Sequence, residues 1–119
     1  MIAVAGCATR QPPAATTGLT EVIERRAERA LLAGMRAYDD GQYADSEKSL
    51  TTALAAGLAG AKDRALAHKL LAFIYCTSER IAECEAAFRA ARAADPTFML
   101  SRSEAGHPQW GPVYRSVMR

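Results

Sequence analysis

Apolar residues recur along this chain at helical spacing and are interrupted wherever a turn former intervenes. From Glu21 to Asp39, the residues Val22, Ala27, Ala30, Leu31, Ala33, Gly34 and Ala37 make one stripe, with Thr20 placed to cap its start. Asp40-Gly41-Gln42 breaks the stripe. The pattern predicts a second helix from Tyr43 to Ala56, stopped by Gly57 in the left-handed conformation. A third is expected from Asp63 to Tyr75 and a fourth from Arg80 to Ala94. Asp95-Pro96 closes the last one, because Pro96 disfavours helical geometry at Asp95 and has no N–H to donate. The helices also repeat. Gly34/Ala72, Ala37/Tyr75, Gly41/Glu79, Tyr43/Ile81, Ser46/Cys84, Leu50/Phe88 and Ala53/Ala91 are each 38 residues apart.

Small residues recur where two antiparallel helices must approach closely, and large apolar ones where they must fill the space between. The pattern resembles tetratricopeptide repeats, whose unit is about 34 residues. The longer offset is absorbed by Leu58-Ala59-Gly60-Ala61 between the hairpins. The expected fold is therefore all-α: two tetratricopeptide-like hairpins with a long N-terminal helix (residues 20–96) and a C-terminal capping segment (residues 97–119). A stack of this kind usually needs about three repeats, so the outer face of the last helix needs a cover. Ser101-Arg102-Ser103-Glu104 has capping-box spacing, although Gly106 and Pro108 limit it to one short turn. Gly111-Pro112 suits the start of a final helix with Pro112 at its first position. Phe98, Leu100, Trp110, Val113 and Val117 are the expected apolar contacts of this cap.

The first helix of each tetratricopeptide hairpin lines a groove, which here would carry Leu31, Met35 and Tyr38, then Leu66, Lys69 and Phe73. Repeats that capture a peptide carboxylate use several basic and amide side chains there. A groove with one lysine suits an amphipathic helix or apolar segment, supplied either by a protein partner or by the chain's own terminus.

Charge and chemistry narrow the function further. Fifteen basic and thirteen acidic residues leave a formal charge of +2, and acids at helical spacing accompany the bases, so no nucleic-acid partner is expected. The two histidines, His68 in a helix and His107 before Pro108, have no partners at metal-ligand spacing. No phosphate-cradling loop or nucleophile motif is present. The expectation is a protein that is not an enzyme, with no metal, cofactor or small-molecule substrate.

The N-terminus points to a membrane. Val4-Ala5-Gly6-Cys7 resembles the bacterial lipobox, followed by a Pro/Thr/Ala-rich stretch from Ala8 to Thr20. The resemblance implies cleavage before Cys7, lipidation of its thiol, residues 1–6 as the remainder of a signal peptide whose start lies upstream, and residues 7–19 as a lipidated tether. Ala8 is not the aspartate associated with inner-membrane retention, which favours the periplasmic face of the outer membrane. Several acyl chains at ~0.8 kcal/mol per buried methylene would anchor it stably. Cys76 and Cys84 are then an even pair across the turn Thr77-Ser78-Glu79-Arg80. Either they form a disulfide, as an oxidising compartment favours, or they are two small buried apolar side chains.

Particular stretches carry a family resemblance. Ala37-Tyr38-Asp39-Asp40-Gly41-Gln42-Tyr43 is generic to tetratricopeptide repeats. His68-Lys69-Leu70-Leu71-Ala72-Phe73-Ile74-Tyr75-Cys76, Asp95-Pro96-Thr97-Phe98 and Glu104-Ala105-Gly106-His107-Pro108-Gln109-Trp110-Gly111-Pro112-Val113-Tyr114 resemble the TssQ-type lipoproteins associated with type VI secretion systems. The resemblance implies an outer-membrane-anchored periplasmic adaptor whose partners are components of the secretion apparatus. Two other readings stay open: an accessory lipoprotein of another envelope machine, such as a pilus or outer-membrane assembly system, or an unanchored cytoplasmic repeat protein.

Overall fold

The computed structural model describes residues 12–119, all of whose regular structure is helical. Six helices follow in order: α1 Pro12–Asp39, α2 Tyr43–Ala56, α3 Ala61–Thr77, α4 Ile81–Ala94, α5 Arg102–Ala105 and α6 Gly111–Val117. α1 packs against α2 and α3 against α4 as antiparallel hairpins, and Arg80 at the start of α4 bonds Glu47 near the start of α2, so α2 and α4 run in the same general direction.

Residues 12–17, part of the stretch expected to be a tether, are helical and belong to α1. Pro12 and Pro13 suit a first helical turn. The break is a single residue, Gly18, at φ 48 and ψ −151. The continuous helix thus begins at Leu19, ahead of the expected cap at Thr20. Residues 1–11, and with them Cys7, lie outside the described residues. Among the described residues, no helix is long and apolar enough to cross a membrane.

Within the first hairpin α1 comes close to α2 where Gly34 faces Leu50. A Cβ on Gly34 would lie 2.7 Å from Leu50 Cδ2, so only glycine lets α1 and α2 meet here. The buried Ser46 hydroxyl donates to the Gly34 carbonyl at 2.7 Å, satisfying a polar group that would otherwise be stranded. Leu50 and its repeat equivalent Phe88 are both fully buried.

The two hairpin turns share one backbone form. Gly41 at φ 76 allows Gln42 N–H to reach the Ala37 carbonyl at 2.8 Å. Thirty-eight residues later Glu79 takes φ 62, and Arg80 N–H reaches the Tyr75 carbonyl at 2.8 Å. At Glu79 the left-handed conformation is forced on a residue with a side chain, which costs about 1–2 kcal/mol. α2 then ends as expected, with Gly57 at φ 95 and its N–H shared by the Ala53 and Leu54 carbonyls.

The C-terminal segment covers the second hairpin. At its entry Asp95 Oδ1 accepts from both the backbone and the hydroxyl of Thr97, at 3.0 and 2.7 Å. Ser101 and Glu104 form the expected capping box at the start of α5. α6 begins at Gly111, which puts Pro112 at its second position, one later than expected. Tyr114 meets Phe88 edge to face at 5.5 Å and accepts a hydrogen bond from Leu100 N–H at 3.1 Å. Leu100, Trp110 and Val117 are buried, and Phe98 and Val113 pack half-buried against the same core.

Candidate functional site

The six residues expected to line a groove do lie on one side of α1 and α3, and the tail occupies the part of that side at Lys69 and Phe73. Leu31 and Phe73 are core residues at 5 % and 4 % exposure, and Met35, Tyr38 and Leu66 pack half-buried against them. Trp110 stacks on Phe73 with ring centroids 3.8 Å apart and 14° between planes, and His107 stacks on the other face of Trp110 at 3.5 Å. The indole Nε1 donates to the Glu104 carbonyl at 2.7 Å. The groove's one cation is engaged as well, since Lys69 Nζ donates to Glu104 Oε2 at 2.8 Å. Partial burial works against the Glu104 carboxylate, but the hydrogen bonds from Lys69 and Ser101 outweigh it and hold its pKa below the ordinary carboxylate value. At Lys69 and Phe73, therefore, the expected partner site is filled by the chain's own tail.

The open concavity is on the opposite side. At 100° per residue, His68, Leu71 and Tyr75 sit roughly 160° around α3 from Leu66, Lys69 and Phe73. They form the floor of a depression of about 370 Å³, walled by Thr51 and Leu54 of α2 and by Glu83, Ala86, Ala87 and Ala90 of α4. The side chains of α4 account for it. Ala91 is buried where α4 packs on α3, while Ala86, Ala87 and Ala90 line the depression with methyl groups too short to fill it.

One end of this groove is built from charge. Arg80 makes paired hydrogen bonds to the Glu47 carboxylate at 2.8 and 3.1 Å and to the Glu83 carboxylate at 2.7 and 2.8 Å. Its guanidinium also lies 4.4 Å from the centroid of the Tyr75 ring. One cation is thus shared by two carboxylates from two helices. The Arg80 hydrogen bonds hold the Glu83 carboxyl below its ordinary pKa. In the floor, burial and then the nearby Arg64 push the His68 imidazole below its ordinary pKa, so it is neutral at physiological pH.

The two cysteines expected to pair or to be buried do both. Cys76 and Cys84 form a disulfide across the α3–α4 turn, with Cα atoms 5.2 Å apart, and are at most 2 % exposed. His107 is a stacking partner of Trp110, and its Nδ1 accepts from Gln109 N–H at 3.1 Å. Among the described residues, no cluster of His, Cys, Asp and Glu could hold a metal ion. Sequence reasoning missed Glu104 as the partner of Lys69 and missed the α2–α4 groove. A signal for the latter lay in Ala86 and Ala90, four apart on a helix with Ala87 and Ala91 beside them.

No family model matches the chain, and neither do any curated proteins or solved structures.

Proposed function

We propose that this chain is a lipid-anchored adaptor on the periplasmic face of the bacterial outer membrane, of the kind associated with type VI secretion. In this reading it holds a partner protein on the α2–α4 side of its repeats. The observation that carries the reading is the pairing of cysteines. Cys76 bonds Cys84, so of three cysteines Cys7, within Val4-Ala5-Gly6-Cys7, is the one left over. A buried structural disulfide suits an oxidising compartment, and a lone cysteine in that setting suits covalent modification. The helical hairpins add surfaces and no convergent chemistry, which is how repeat scaffolds work.

The test is fractionation and mass measurement. Produced in a Gram-negative host from its genomic reading frame, the mature protein carries acyl chains on Cys7 and partitions with outer membranes, and Cys7→Ser abolishes both. A mature chain with an unmodified Cys7 thiol contradicts the anchor. Loss of type VI effector export on deletion, restored by the wild-type gene, separates this machine from other envelope systems.

A further inference from the structure

We propose that the groove between α2 and α4 seats one amphipathic helix of a partner protein. That helix turns large apolar side chains, spaced four residues apart, towards Ala86 and Ala90, and a basic side chain towards the Glu47–Glu83 end. The inference deepens the adaptor reading and rests on it for the partner being a protein.

Shape gives the class of occupant. Both walls are helices of 14 residues running in the same direction, about 21 Å long at 1.5 Å per residue. Helix walls have their backbone groups already bonded, so an extended strand would find no ladder to join. A rod with projecting side chains fits instead. The volume, about 370 Å³, lies near the lower end of the ~300–1,000 Å³ of whole-ligand pockets and suits a few inserted side chains. Leu54, Leu71 and the alanines offer those side chains an apolar lining, and the neutral His68 leaves the floor without a buried charge.

Charge gives the orientation. Glu47 and Glu83 share the single cation Arg80, which leaves that end of the groove with an excess negative charge. The exposed Glu79, in the turn before Arg80, lies at the same end. A lysine or arginine on the partner would complete the arrangement, and like charge would be repelled.

The test uses the full chain in its native envelope, with a photo-crosslinking benzoylphenylalanine at Ala86 and, as controls, at Arg89 and Met99. A discrete adduct at Ala86 is expected, with none at Arg89, and peptide mapping should place the attachment on a helix of another protein with the stated pattern. Ala90→Leu fills the groove and should reduce the adduct at least tenfold without lowering the melting temperature. Thr51→Arg, at an exposed rim position, should do the same and decides the matter if Ala90→Leu unfolds the protein. Glu47→Gln with Glu83→Gln should reduce it severalfold. Attachment to a second copy, to an extended segment or to lipid overturns the proposal, as does an adduct indifferent to both groove variants. Adducts at Met99 but not Ala86 overturn the groove and leave the adaptor reading standing, whereas no adduct at any position counts against both.

Discussion

Trp110 lies flat on Phe73, and this contact joins the last segment of the chain to the side of α3 that a repeat protein usually offers to partners. The indole is held three ways: by Phe73 beneath, by His107 above and by the hydrogen bond from Nε1 to the Glu104 carbonyl. Trp110→Ala removes all three and leaves a cavity over Phe73. The expected cost is ~3–5 kcal/mol, a large share of a small domain's total, read by urea unfolding. Trp110→Phe keeps an aromatic ring over Phe73 and loses the hydrogen bond, and should cost markedly less.

The Cys76–Cys84 bridge closes a short loop. Chain entropy then gives ~2–3 kcal/mol of stabilisation. The paired change Cys76→Ala and Cys84→Ala should lower the unfolding midpoint by that amount. Because both sulfurs are buried, mild reductant should leave the native bridge intact while cleaving it readily in denaturant.

Glu79 should be a place where glycine is better. Its φ of 62 reproduces the turn that Gly41 makes freely in the first repeat. Glu79→Gly relieves about 1–2 kcal/mol of side-chain conflict and returns roughly 0.5–1 kcal/mol to the flexibility of the unfolded chain. A net gain of up to ~1.5 kcal/mol is expected in thermal or urea melts.

Much of this architecture is legible in the sequence because its signals are local. The span of α2 follows from Asp40-Gly41-Gln42 and Gly57, and the end of α4 from Asp95-Pro96. α3 runs two residues further at each end than Asp63–Tyr75, where Thr77 joins the helix with its hydroxyl bonded to the Phe73 carbonyl at 2.8 Å. The tail's role is legible from its apolar residues, but not the face it covers. Whether Trp110 meets Phe73 or Phe88 depends on how α5 and its capping box turn the chain, a tertiary matter. The open groove is harder still. An alanine reads the same whether it permits close approach, as Ala91 does, or leaves a gap, as Ala86 and Ala90 do.

His68 should make stability depend on pH. Its pKa lies below the ordinary 6.5 because of burial and, second, Arg64. As pH falls through that ordinary value the unfolded chain takes up a proton that the folded chain still refuses. Stability is therefore unaffected by this group above about pH 7 and declines below it, until the folded imidazole also protonates. His68→Leu should flatten this part of the profile. The depressed carboxyls of Glu83, Asp95 and Glu104 act only at lower pH, below their ordinary values of 4.5, 3.8 and 4.5.

The tail covers Lys69 and Phe73 of α3, while the α2–α4 side stays open. Trp110, the one tryptophan, reports on it directly through native fluorescence with acrylamide quenching. Blue-shifted emission, weak quenching and a red shift on unfolding that coincides with loss of helix are expected. Red-shifted, freely quenched emission from the native protein would contradict this arrangement, because the tail would then lie away from Phe73 and the groove would be open.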